Sequence, residues 1–447
     1  MKNLRNIFRE IVRYPSAIFG SIVVLILIVA AVVVIVKVPY NEAINQWRGG
    51  EQVWGKNPRN VPPIWYNWFR EEKLVESLDM KEGDEGVTVL QEVTEGGTPI
   101  KTITFDFDFE YDNFPQDLVL YFTSTFEAKK PFVSIKLITP DQREIKVGSF
   151  AIGATHTYPL LQDTALRKRL RGVVPNIGLF INPDFEEQIP VQGPYQLVIE
   201  AITFEPDSTI EAEFVMHGQV FGWAGTDHLR RDLTLPLMWG IPIALAFGLI
   251  AALGTSVLTM IIAAIGTWYG GIVDGIIQRI TEINLVLPFL SILIMIGTFY
   301  SRSIWVILGA TVALSIFTGG IKSYRAIFMQ VKESTYIEAA RAYGARDWRI
   351  IFQYLIPRII PLLIPGLVSS VPAFVFLEAS LALLGIGDPV LPTWGKTINE
   401  AYANAALYRG WYYWILEPLV LLMVTGLGFA MLGFALDRIF NPRLRGI

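Results

Sequence analysis

Six windows of the sequence are apolar enough, over about twenty residues each, to cross the ~30 Å hydrocarbon layer of a bilayer at 1.5 Å per helical residue. They run over approximately 17–36, 236–268, 283–300, 304–320, 359–386 and 413–436. No other feature constrains the fold so strongly. In hydrocarbon every backbone amide must find its partner inside the chain, so such windows fold as helices. The first, AIFGSIVVLILIVAAVVVIV, follows Lys2, Arg5, Arg9 and Arg13. It exceeds the core of a signal peptide and is followed by no small-residue cleavage site, which predicts a retained anchor.

The placement of Lys and Arg predicts the orientation. The N-terminus is basic, residues 321–358 carry seven bases against three acids, and the ending DRIFNPRLRGI adds three arginines. All three regions are expected in the cytoplasm, which requires an even number of spans and puts the stretch between the first two spans outside. That stretch holds about 30 acidic and 18 basic residues, a net of roughly −12, so the formal charge of −4 for the whole chain is a sum of opposites. The absence of cysteine excludes disulfides, thiolate metal sites and cysteine nucleophiles.

The outer stretch reads as β-rich. KTITFDFDFEY alternates Ile103, Phe105, Phe107, Phe109 and Tyr111 with Thr104, Asp106, Asp108 and Glu110. This is the two-residue period of a half-buried strand. DLVLYFTSTF, FVSIKLITP, YQLVIEAITF and IEAEFVMHGQVF repeat the pattern, predicting an antiparallel sandwich-like domain, with LQDTALRKRLRG as a short surface helix. The acids of the first strand could ligate calcium, but alternate residues on one strand more simply form a solvated face. His156, His217 and His228 lack zinc-ligand spacing, so no metal site is expected. The Trp- and Pro-dense WRGGEQVWGKNPRNVPPIWYNWF suits a membrane-interface belt or a binding surface. TWGKT, at 393–397, ends like a phosphate-binding loop, but Val390 stands where its first glycine would be required.

Within the basic segment, YIEAARAYGARDWRIIFQYLIP predicts a helix over 336–343, a turn at Gly344, and a second helix capped by Asp347 that runs to Pro357. A plain connecting hairpin needs an amphipathic face but no particular order of Glu338, Ala339, Ala340, Gly344 and Pro357. That order, with Tyr336 ahead of it, resembles the EAA loop of ABC importer permeases. Four further segments resemble the dipeptide, oligopeptide and nickel branch of that family. FGWAGTDHLRRDL matches its GTD and GRD pattern with Gly225, Thr226, Asp227, Arg231 and Asp232. WYGGIVDGIIQRITEINLVLP supplies Asp274, and LEASLALLGIGDPVLPTWG and FALDRIFNPRLR follow in family order. Arg230 replaces the usual GRD glycine, Asn441 an aspartate of the ending, and Tyr354 a common histidine.

The resemblance implies a polytopic α-helical type I ABC importer permease, of the C-type subunit, carrying an inserted β-rich domain. Its expected divisions are residues 1–38 for the N-terminus and first span, 39–217 for the extracytoplasmic domain, and 218–447 for a five-helix core with a coupling loop at 321–358. It implies a non-catalytic pore half for peptides or a similar small solute in the cell membrane. It also implies a second related permease, two cytoplasmic ATPases that bind ATP and Mg, an extracytoplasmic substrate-binding protein, the lipid bilayer, no nucleic acid, and no cofactor on this chain. Tyr336, Glu338, Ala339, Ala340, Gly344 and Pro357 are then expected to meet the ATPase, with the GTD residues and Asp274 structural. Glu378, the one acid well inside a span, lies 21 residues beyond Pro357, or roughly 31 Å along a helix, and is a candidate outer gate. Alternative readings are a secondary transporter or channel, for which the spans hold few ionisable residues, or a membrane-anchored receptor or enzyme.

Overall fold

The computed structural model describes residues 14–93, 99–183, 189–205 and 207–440. The basic N-terminal residues and the Asn441 ending therefore lie outside the described residues. The chain divides into two compact units, Gly49–Thr234 and the remainder. Residues 218–234 are gathered with the first of these.

The helical unit contains α1 (Pro15–Lys37), α2 (Thr234–Tyr269), α3 (Gly271–Val286), α4 (Phe289–Phe299), α5 (Ile304–Ile316), α6 (Gly319–Lys332), α7 (Thr335–Ala342), α8 (Ile360–Leu381), α9 (Trp394–Ala403) and α10 (Tyr413–Phe440). Among the described residues four helices are long and apolar enough to cross a membrane, α1, α2, α8 with its extension to Ile386, and α10. The count reaches six if the bent pairs α3–α4 and α5–α6 each form one span. The expected continuous spans over 283–300 and 304–320 are therefore corrected. The chain bends by 80° between α3 and α4, at Leu287–Pro288, because proline cannot donate the next helical hydrogen bond. It bends by 47° between α5 and α6 at Phe317–Thr318. Alone, α4 and α5 span only about 16 and 20 Å.

Glycines set the helix packing, as in membrane bundles where small residues let backbones meet. A Cβ on Gly20 of α1 would lie 2.7 Å from the Gly428 carbonyl oxygen of α10, and Gly426 of α10 seats the Phe376 ring of α8. Pro242, Pro365, Pro372 and Pro418 lie inside helices.

The other unit is a sandwich of two antiparallel sheets. Its strands are β1 (Leu78–Lys81), β2 (Val87–Val93), β3 (Pro99–Phe109), β4 (Asp117–Thr125), β5 (Phe132–Ile138), β6 (Glu144–Ala151), β7 (Thr155–Pro159), β8 (Gly193–Ile202) and β9 (Thr209–His217). The sheet orders are β1-β9-β4-β7 and β2-β3-β8-β5-β6. The alternation read in the sequence is the inward face: Ile103, Phe105, Phe107 and Phe109 are buried, with Phe105 opposite Leu197 and Ile103 opposite Ile199. Phe214, Phe122 and Leu120 from the facing sheet complete the core. Asp163 caps the short helix Thr164–Arg169 by accepting from Ala165 and Leu166, where the sequence placed a surface helix.

Candidate functional site

The basic segment folds as a finger. α6 leads to α7, the chain reverses at Gly344 with φ +76°, and a three-residue helical turn, Asp347–Arg349, continues into the π-helical turn Ile350–Leu355. Gly344 is open on all sides, so it is required for its left-handed backbone and not for space. The cap of the second helix is corrected by one residue: Arg346 occupies the extended capping position, and Asp347 opens the first turn, where its carboxylate favours the helix dipole.

One face of the finger is anchored. Ile337, Ile350, Ile351 and Leu355 are buried with Phe328 of α6 and with Ala264 and Trp268 at the end of α2. The Arg341 guanidinium lies 4.4 Å from the Trp268 ring centre, and Lys332 Nζ donates to the Thr267 and Trp268 carbonyls at 2.9 Å. Arg325 of α6 grips Asp274 of α3 through three bonds of 2.6–3.0 Å. Asp274, expected as structural, thus ties the base of the finger to α3.

The other face is exposed and aromatic. Tyr343 is 91% exposed, Trp348 stacks on Phe352 with ring centres 5.6 Å apart, and Tyr336 is exposed as well. Glu338, Ala339, Gly344 and Pro357 are also exposed. Ala340 is not: successive helical residues lie 100° apart, so it turns into the finger's own core while Ala339 faces out. Trp348 and Phe352 belong to this face, which the sequence reading treated only as helix-forming residues. Their four-residue spacing was the available signal.

The GTD segment makes a separate, closed knot in the β unit. Asp227 is fully buried; its Oδ2 accepts from Arg231 Nε at 2.6 Å, and its Oδ1 from the Leu229 and Arg231 amides. Thr226 Oγ1 donates to the Pro58 carbonyl at 2.8 Å and accepts from the Val61 amide. Gly225, at φ +72°, allows its carbonyl to accept from Leu233, while Asp232 accepts from the Thr234 amide; burial pushes the Asp232 carboxyl up from its ordinary pKa. Arg230, in place of the family glycine, keeps a left-handed backbone at φ +66°. Its Nη1 donates to the Asn57 carbonyl at 2.7 Å and lies 3.2 Å from His217 Nδ1 at the end of β9. Burial, together with the Arg230 charge, pushes His217 down to about 4.

A third cluster joins the end of α8 to α9. Glu378 is buried close to Thr393, the N-cap of α9, whose Oγ1 accepts from the Lys396 amide. Trp394 is buried against Gly240, and its Nε1 donates to the Leu237 carbonyl at 2.8 Å. Gly395 packs so closely that a Cβ would lie 2.6 Å from Ala379 Cα. The run that ends like a phosphate loop is therefore a helix cap and a helix-to-helix seat. Asp388 crosses the chain to accept from the Ile304 amide at 2.9 Å, capping α5; sequence reasoning quoted it without a role.

The three clusters are distinct: the expected finger residues other than Ala340 are exposed on the finger, the GTD residues form one knot, and Glu378 lies with the α9 cap. Comparison with known proteins adds identity to this geometry. Residues 256–446 match the family described as binding-protein-dependent transport system inner membrane component, a region holding the finger and the Glu378 cluster. The chain is 29% identical to the dipeptide transport system permease protein DppC of Bacillus subtilis, over 50% of this chain and 69% of that protein. It is 29% identical to the glutathione transport system permease protein GsiD of Pectobacterium atrosepticum over 50% and 73%, and to the oligopeptide transport system permease protein OppC of B. subtilis over 50% and 72%. Taken with the motif order, the match over 256–446 and these relatives support an ABC importer permease of the peptide branch.

Proposed function

We propose that this subunit forms half of the pore for a peptide or similarly sized solute, and that the 321–358 finger carries ATPase motion into the spans. The supporting observation is the finger's asymmetry. Its inner face is fixed to α2, α3 and α6 by apolar burial, the Arg341–Trp268 stack and the Arg325–Asp274 pair, whereas its outer face leaves Tyr343, Trp348 and Phe352 unburied. Aromatic side chains are enriched in the cores of protein interfaces. A push on that face moves α2 and α3 because the anchor is rigid.

The partners in this reading are a second related permease, two cytoplasmic ATPases that bind ATP with Mg, and an extracytoplasmic substrate-binding protein. Both termini and the finger are cytoplasmic and the β unit lies outside, following the distribution of Lys and Arg. The β unit serves as a docking or gating platform. Its exposed ledge, in which Trp68 meets Trp223 edge-on at 6.4 Å and Phe69 projects alongside, offers aromatic faces to a partner or to headgroups. Glu378, buried near Thr393 at the end of α8, serves as an outer gate. ATP is hydrolysed by the partner subunits and no cofactor resides on this chain.

The experiment is site-specific crosslinking from position 343 or 348 in the assembled complex. The proposal expects adducts with the ATPase whose yield changes when ATP is bound. Adducts confined to the other permease or to lipid would overturn it.

A further inference from the structure

A second feature of the helical unit is formed by residues outside the finger. A cavity of ≈ 290 Å³ opens where α1 ends and α2 and α5 begin, lined by Ile35, Tyr40, Trp239, Phe247, Trp305 and Leu391 among others. These are the helix ends adjoining the points where the β unit joins the chain. Among the described residues the lining is almost wholly apolar and contains no charged side chain. Ile35, Tyr40 and Trp305 are each about half exposed, so the cavity reaches the outer surface of the helices.

Trp239 differs from the other lining residues. It is 5% exposed, and its Nε1–H has no acceptor among the described residues. By contrast, the buried Trp394 in the same unit donates to a backbone carbonyl. A buried indole N–H left without a partner costs free energy, so its neighbourhood is built for an acceptor from outside the chain. Depth identifies the acceptor. The 36 residues of α2 run about 54 Å, roughly 24 Å beyond the ~30 Å hydrocarbon layer, and this excess is shared between the two ends. Trp239, about 8 Å along α2, then stands at the boundary where glycerol esters lie, and Phe247, about 20 Å along, stands among acyl chains.

We propose that this cleft holds one acyl chain of a glycerophospholipid, whose ester carbonyl accepts from Trp239 Nε1–H. The chain lies along Phe247 and Leu391, and Tyr40 and Trp305 flank the opening at headgroup level, as amphipathic rings do. A peptide fits poorly, since its charged termini would meet no partner in this lining. The lipid fills the wedge between α1, α2 and α5, and so becomes part of the seam that must hold while α2 is moved.

The test uses the full chain assembled with its partner subunits, in vesicles of phosphatidylethanolamine and phosphatidylglycerol doped with a phosphatidylethanolamine bearing a diazirine in its acyl chain. After photolysis, peptides carrying 239–247 and 304–308 should be labelled more heavily than the exposed 416–427 face of α10. Trp239→Phe keeps the ring and deletes the donor. It should lower cavity labelling about three- to tenfold, as expected for loss of one hydrogen bond, with α10 labelling unchanged. Labelling no greater than that of α10, or unaffected by Trp239→Phe, would overturn the proposal. So would labelling that added transported peptide displaces, since that assigns the cleft to another occupant.

Discussion

At the residue scale, the most informative departure from the family pattern is Arg230. A left-handed backbone on a non-glycine residue costs on the order of 1–2 kcal/mol, and here the guanidinium offsets that cost by bonding Asn57 and facing His217. Arg230→Gly should relieve the backbone yet raise the His217 pKa from about 4 toward its ordinary value, because a neighbouring cation is lost. Imidazole NMR titration reads this directly in a chain with three histidines; an unmoved His217 would contradict it. The same residue sets a pH dependence. His217 binds its proton less readily folded than unfolded, so between pH 6.5 and about 4 the unfolded state takes up more protons and stability falls on acidification. The loss is on the order of 3 kcal/mol for a shift of this size. Asp79, raised to about 6 chiefly by burial, gives the opposite slope between 6 and 3.8, but its side chain is half exposed and solvent screens it. Pulse proteolysis of the β unit in the intact chain should therefore show destabilisation from pH 7 to 4.5, weakened in His217→Gln. Motif letters exposed Arg230 as a departure; they could not show its positive φ, which depends on the fold around it.

At the element scale, periodicity and punctuation carried far. The two-residue alternation around Phe105 and the Gly344 break were readable because burial and backbone handedness act locally. The bends at Leu287–Pro288 and Phe317–Thr318 were not, since hydropathy averages over a window and ignores direction. The inward turn of Ala340 was equally hidden, because it depends on which face α2 and α6 cover. Strands β1, β2, β6 and β7 carry weaker alternation and were missed. Gly344→Val meets no neighbour but must adopt φ +76°, so the finger should distort and substrate-stimulated ATP hydrolysis should fall sharply, with expression retained. Wild-type stimulation in that variant would contradict a coupling role. Gly395→Ala drives a methyl to 2.6 Å from the Ala379 backbone, which cannot move aside as a flexible side chain could. It should lower thermal stability by about 1–3 kcal/mol, read as a reduced melting temperature in detergent.

At the scale of the whole molecule, the chain carries a β sandwich ahead of residues 256–446, the region that the permease family match covers. The function of the core was legible because five motifs fall in one order. The role of the insertion was not, since sheets of this kind serve many functions. Replacing residues 49–217 by a flexible linker should leave the helical core assembled but weaken binding-protein affinity or uptake; unaltered affinity and uptake together would exclude a docking or gating platform. The central claim is that the finger makes this chain the pore half of an ATP-driven importer. It is tested most directly by solute uptake into proteoliposomes containing the assembled complex, with and without ATP, for the wild type and Gly344→Val. The account predicts uptake that requires ATP and collapses in the variant; uptake sustained by an ion gradient without ATP, or undiminished in Gly344→Val, would contradict it.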